Sequence, residues 1–444
     1  MKAIVETGLI AGMVVSVVFW GGAEMVAFGA VETLLFAVAL AVVLSPSRAR
    51  RAIPLGVPAL LMGWPSLALV PLPAGVFRAL GDTRPASAAS GWMHASLLPH
   101  ATELAWLQWM ACLTAFCLVL EIAERGESLQ RLVLALVLLG GAESIFGIAQ
   151  FLTGWQPLAR FLPREDLQPL GTYINRDHFA GLLEMIFPFV LAWTFEKTRG
   201  AERSPQRMLP SSLRRLLVSP QAGWLAGGLF LSALFVVALI SSASRMGIFS
   251  GLVGAAVVCF LWLSSSRRRR SEGMLVLGFL GIVTLLSLWV GIGPALTRYA
   301  APHPLAERWS MWANAVHVVR QSPVLGTGLG TLAVAVTPFQ SAFVDRVFDH
   351  AHNDYLEFAA ELGLPGALLL FAAIFRIFGK SVRAVYDPGR RTPRFIALGA
   401  AGSLLAILGH SLVDFNLHLP ANALVFAVVL ALAYSTAEPS LQAA

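Results

Sequence analysis

MGIFSGLVGAAVVCFLWLSSSRRRR, residues 246–270, decides how the rest of the chain is read. From Met246 to Leu263 there is no charged residue, and four arginines follow at 267–270. A bilayer core of roughly 30 Å takes about 20 apolar residues as a helix. A basic run beside the end of such a helix anchors that end in the cytoplasm. Working outward, the same pattern recurs. Apolar runs lie at about 4–20, 24–44, 53–72, 101–121, 130–152, 179–195, 222–240, 246–263, 274–293, 363–380, 395–413 and 416–436. The expected fold is all-α: one polytopic membrane helical bundle of about twelve transmembrane helices over residues 1–444.

Composition agrees. Of the 444 residues, 57% are hydrophobic and 13% charged. An ordinary soluble domain carries about 25% charged residues, and a disordered chain is poorer in apolar residues still. Lys2 and the run after it read as an uncleaved first helix, because a second apolar run follows at once. Cys112, Cys117 and Cys259 all fall inside apolar runs and have no metal-binding spacing, so they read as packing residues. The net charge of +7 is explained by basic loops flanking membrane helices rather than by nucleic-acid binding.

The basic residues set the orientation. With the N-terminus cytoplasmic, 22 of the 32 fall in inside loops and ten in outside loops. Both termini are therefore expected in the cytoplasm. The outside ten are all arginine and include Arg176, Arg245 and Arg308. A guanidinium presents a planar fork that grips phosphate or carboxylate bidentately. The longest outside loop runs over 294–361 and carries its own helical pattern, with Trp309, Trp312, Val316 and Val319 three and four apart. The glycines of Gly326-Thr327-Gly328-Leu329-Gly330 read chiefly as turns, since no strand precedes them and no lysine follows.

Four polar clusters stand out against this apolar background. Asp349-His350-Ala351-His352-Asn353-Asp354 precedes a helix, with Asp354 and Glu357 spaced like a capping box. His352 falls just before that helix start, where the dipole favours a neutral imidazole able to accept a proton. A structural histidine, or a metal ligand with Asp349 or His303, are the competing readings. Ser241-Ser242-Ala243-Ser244-Arg245 joins two apolar runs by a very short turn, which pins Arg245 at the membrane boundary, where a charge is costly without a partner. Gly171 to His178 places Arg176 at the start of another helix, with Asp177 as a local counter-ion. His410 and Asp414, four apart on one helix face, read with Asn416 and His418 as a buried polar network. Topology brings Arg176, Arg245 and His352 to one membrane face. Two arginines there suit a lipid-linked diphosphate as leaving group, and one histidine suits the base that activates an acceptor hydroxyl.

GTYINRDHFAGLLEMIFPF (171–189), SASRMG (242–247), ERWSMWANAVHVVRQSPVLGTGLG (307–330), HNDYLEFAAELGLPG (352–366) and HSLVDFNLHLP (410–420) together resemble the O-antigen ligase and polymerase superfamily of bacterial membrane glycan transferases. The resemblance covers roughly residues 140–435. It implies a metal-independent, inverting transferase without cofactor in the bacterial inner membrane, its active site facing the periplasm beneath a helical loop. The donor would be an undecaprenyl-diphosphate-linked glycan. The acceptor would be lipid A–core or a related saccharide for a ligase, and a second lipid-linked repeat for a polymerase. Carried onto this chain, the resemblance makes His352 the catalytic base, Arg245 and Arg176 the diphosphate ligands, and Arg308 a further contact. A lipid-linked glycan transporter or flippase is the alternative from another class. It would carry binding residues near the bilayer midplane, whereas Glu24, Glu143 and Glu184 are scattered.

Overall fold

The computed structural model describes residues 1–45, 56–84, 91–123, 126–156, 170–199, 220–265, 281, 304–340, 349–389 and 392–436. The apolar run 274–293 apart from residue 281, the arginines 267–270, His303 and parts of the 294–361 stretch lie outside these. The long helices are α1 (Lys2–Val18), α2 (Met25–Leu44), α3 (Gly56–Ser66), α4 (Pro99–Ile122), α5 (Gly126–Thr153), α6 (Arg176–Arg199), α7 (Pro220–Ser241), α8 (Arg245–Ser264), α9 (Pro304–Gln321), α10 (Asp354–Tyr386), α11 (Arg394–His410) and α12 (Pro420–Thr436). Among the described residues, seven helices are long and apolar enough to cross a membrane, with three shorter apolar ones beside them. The strand content described is a two-residue antiparallel ladder, Leu72–Pro73 with Trp92–Met93. The molecule is an all-α membrane bundle.

At the centre lie α6, α8 and α11. Lipid tails are as apolar as leucine, so helices in a membrane associate through close packing at small residues rather than by escape from water. Here α8 and α11 touch backbone to backbone: a Cβ on Gly254 would stand 2.9 Å from the carbonyl oxygen of Gly402, and one on Gly402 would stand 2.8 Å from that of Gly254. Near their starts, α8 and α6 meet at Gly247 and Ala180, where a Cβ on the glycine would overlap the alanine methyl.

One end of the bundle gathers the starts of α6, α8, α10 and α12 and the end of α11. Tyr173 donates its hydroxyl to Asn422 at 2.9 Å, and Asn422 donates to the carbonyl of His178 at 2.9 Å. The Asp354 amide donates to Ser411 O at 2.9 Å, and the Ser411 hydroxyl donates back to Asp354 Oδ2 at 2.6 Å. Two differences from the sequence reading appear here. The cap of α10 is Asn353, whose side chain accepts from the Leu356 amide; Asp354 instead turns inward. The expected span 363–380 is the second part of a longer helix. Gly363, at φ 70° and ψ 167°, absorbs a kink that other residues would resist, and the chain continues as helix beyond it.

Candidate functional site

His352 sits one residue before the Asn353 cap, in the left-handed region at φ 47°. For a residue with a side chain that conformation costs roughly 1–2 kcal/mol, so the surroundings must hold it there. Its carbonyl accepts from Trp312 Nε1 of α9 at 3.4 Å. Asn353 is fastened by its own side chain to Leu412 O at 2.9 Å. The His352 ring stands edge-on to Phe415, centroids 4.8 Å apart. Its Nδ1 lies 3.1 Å from Asp414 Oδ1. A carboxylate can only accept, so Nδ1 carries a hydrogen and Nε2 is the ring nitrogen left to meet another group. The ring is 28% exposed while Asp414 is 2% exposed, so the imidazole can be reached from outside and its partner cannot.

Asp414 has further neighbours. The Phe415 amide donates to Oδ1 at 2.9 Å. His178 Nε2 of α6 stands 3.9 Å from Oδ1, and His410 Nε2 of α11 stands 3.6 Å from Oδ2. Burial opposes ionisation, but the hydrogen bond from His352 and the surrounding imidazoles outweigh it and hold the Asp414 carboxyl below the usual carboxylate range.

The two arginines of the motif open two adjacent helices. Arg245 is the first residue of α8, after the Ser244 cap, whose Oγ accepts from the Gly247 amide at 3.1 Å. Ala243, at φ 49°, makes the sharp corner. Arg176 is the first residue of α6, after Asn175, whose side chain accepts from the Asp177 amide at 2.9 Å. Both arginines are partly buried. A cation at a helix N-terminus faces the positive end of the dipole; an anion there is favoured by guanidinium and dipole together. The Ala180–Gly247 packing joins these two helix starts, and His178, two residues after Arg176, reaches Asp414 and through it His352. Arg308, partly buried on α9, lies on the same helix as Trp312, which holds the His352 backbone.

The network read around residues 410–418 is buried, and it divides in two. His410 and Asp414 belong with His352. His418 donates to Asp354 Oδ1 at 2.7 Å and stands near Glu357 and Glu361. His350 joins that second group, donating from Nδ1 to Glu357 Oε1 at 2.6 Å. Glu361 in turn accepts from the amides of Thr331 and Leu332. The glycine stretch before them therefore serves as tight turns pressed against α10, with Gly326 against the backbone of Glu361 and Gly363. Among the described residues, no group of three histidine, cysteine or acidic side chains has the arrangement to hold a metal ion. A cavity of about 690 Å³ runs between α4, α10 and α12, with apolar walls such as Trp109, Phe116 and Leu370 and polar groups including His350 and Glu357 at one end.

Sequence reasoning missed the pairing of His352 with Asp414. Asp414 was visible only as a neighbour of His410 on one helix face. Its contact with a residue 62 positions away has no local signal.

Residues 230–371 match the family model described as O-antigen ligase. The match supports the O-antigen ligase superfamily and a membrane enzyme of ligase or polymerase type. It includes Arg245, Arg308 and His352; Arg176 and Asp414 lie outside it. No curated protein matches the chain.

Proposed function

We propose that the chain is an integral membrane glycosyltransferase of O-antigen ligase type, which moves a glycan from undecaprenyl diphosphate to an acceptor saccharide at the periplasmic face of the bacterial inner membrane. The observation that carries this reading is the His352–Asp414 pair beside two helix starts that each begin with an arginine. In the reaction, His352 Nε2 takes the proton from an acceptor hydroxyl. The acceptor oxygen forms a bond to the anomeric carbon as the bond from that carbon to the diphosphate oxygen breaks. The diphosphate leaves with the electron pair, and attack from the opposite side inverts the anomeric centre. Asp414 stabilises the imidazolium formed on His352, as a buried carboxylate does for a histidine base. Arg245 and Arg176, with Arg308 as a weaker contact, take up the charge that builds on the diphosphate.

These guanidinium groups do what a divalent cation would otherwise do, so transfer is expected to persist in EDTA; activity lost in EDTA and restored by magnesium or zinc would remove that part. The apolar cavity supports lipid-linked substrates. The basic-residue distribution supports both termini in the cytoplasm and the 294–361 stretch as a periplasmic loop over the site. The second reading, polymerase, differs only in the acceptor. Purified protein in proteoliposomes, given an undecaprenyl-diphosphate glycan with lipid A–core or with a second lipid-linked repeat, tests both. Product on lipid A–core is the expected result. Product only on the second repeat moves the assignment to polymerase. No product from either, with glycan appearing across the bilayer, makes the chain a transporter.

A further inference from the structure

Behind Asp414 a second pair of titratable groups reaches deeper into the bundle. His410, the last residue of α11, is 1% exposed, and Glu184 in α6 is fully buried. His410 Nδ1 lies 3.1 Å from both oxygens of Glu184. Its Nε2 lies 3.6 Å from Asp414 Oδ2. Among the described residues, Asp414 Oδ2 has no hydrogen-bond donor. Between two carboxylates, a neutral ring can satisfy only one side. With hydrogen on Nδ1 for Glu184, it would turn the Nε2 lone pair toward a second carboxylate in a dry interior. The imidazolium presents N–H to both. Two carboxylates flanking one histidine are thus the geometry of a shared cation, and two buried carboxylates without it would not both stay ionised.

We infer that His410 and Glu184 are positioning residues: they hold Asp414 as a carboxylate, and through it ready His352 to take the acceptor's proton. The inference rests on the transferase reading above. The chain runs Glu184, His410, Asp414, His352, so a change two helices away from the substrate reaches the base through charge. Nothing in this chain needs to move a proton along its length. Its task is to keep the negative charge of Asp414 in place when the His352 ring becomes an imidazolium, because a neutral Asp414 would leave that cation unsupported. The other titratable groups facing this network are His178 and, at longer range, Asp177 of α6, with His350 across Phe415 and Arg245 at the start of the neighbouring α8. His178 stands 3.9 Å from Asp414 Oδ1 and supports the same carboxylate, whereas His410 is the ring that joins Asp414 to Glu184.

The test is the pH dependence of kcat/KM for the full-length chain in proteoliposomes. His410→Gln keeps a polar side chain and removes the charge. Its acid limb is expected to move up by on the order of one to three pH units, with activity returning toward the wild-type plateau at alkaline pH. Glu184→Gln, which weakens the hold on the same proton, is expected to move the limb in the same direction by less. A uniform loss at every pH, or an unmoved limb, would overturn the inference and leave the pair as packing. A second measurement uses the unaltered protein. Nitrogen NMR of isotope-labelled histidine should show His410 with both ring nitrogens protonated at neutral pH; a neutral His410 sinks the inference even if the variants do not fold. A wild-type protein that transfers glycan to neither acceptor breaks the transferase reading instead, and the two failures are thereby told apart.

Discussion

His350 and His352 lie two residues apart on one short segment, both against the Phe415 ring. His350 stacks flat on it at 3.9 Å and 8°, whereas His352 meets it edge-on at 4.8 Å and 79°. Each ring uses Nδ1 to hold a buried carboxylate, and the two are exposed to nearly the same degree, 29% and 28%. Their partners separate them. Glu357 also accepts from the Ala351 amide and belongs to a cluster with Asp354, Glu361 and His418 that fastens the 326–332 turns to α10. Asp414 instead adjoins the arginine-bearing helix starts. In the proposed reaction, what would make one histidine a base and the other a strut is thus the neighbour beyond the carboxylate. Burial, motif and spacing are shared by both.

The sharpest way to break this distinction is to remove each ring in turn. His352→Ala is expected to lower transfer per folded molecule by at least about 100-fold, the scale of a lost general base, with unchanged membrane insertion and a stability loss of about 1–3 kcal/mol from the Asp414 hydrogen bond. His350→Ala leaves Glu357 without its main partner, and is expected to cost about 1–3 kcal/mol of stability while each folded molecule keeps its activity. Turnover per folded molecule, with Tm measured alongside, separates the two; equal effects on both readouts would erase the distinction. Next in size are the arginines. Arg245→Lys and Arg176→Lys keep the charge and lose the fork, for an expected fall of about tenfold each, or about 1.4 kcal/mol of transition-state stabilisation. Full activity in the lysine variants would mean that charge alone suffices. Arg308→Ala should lose less than either in the same transfer assay.

The smallest effect is on stability against pH. Burial opposes protonation of His350, but the charge of Glu357 and its hydrogen bond prevail and raise the ring above its ordinary value. His418 is raised well above it, where burial is outweighed by the charge of Glu357 and the hydrogen bond to Asp354. A histidine raised on folding contributes stability that is complete below the unfolded value, about 6.5, and is lost as pH climbs through the folded one. Tm should therefore fall gradually from neutral into alkaline pH, and His418→Gln should flatten that slope. A slope that survives the substitution assigns it elsewhere.

The helices were legible in sequence because a run of apolar residues needs no partner to be recognised. The run at 24–44 is α2, Met25–Leu44, of whose spanning window only 22% is buried by protein. α6 was equally visible as a run, but 94% of its window is buried, and its role as the central helix was not visible at all. Apolar composition measures fitness for hydrocarbon and says little about which helix faces lipid. The start of α10 shows the opposite gap. Its first turns carry Asp354, Glu357 and Glu361, so the apolar run begins late although the helix does not. At the site, His352 and the arginines could be named because each lies beside a local signal, a cap or a tight turn. The partners of Asp414, Glu184 and Trp312 could not be named, because each meets a residue from another segment.

The left-handed backbone at His352 bears on how an inactive form should be built. Alanine there keeps the unfavourable φ of 47°, whereas glycine adopts it without a steric penalty. His352→Gly would remove the proposed proton acceptor and relax the peptide at once, so that the relaxed backbone offsets part of the cost of the lost Asp414 hydrogen bond. That variant is the natural vehicle for trapping a donor and an acceptor together before they react.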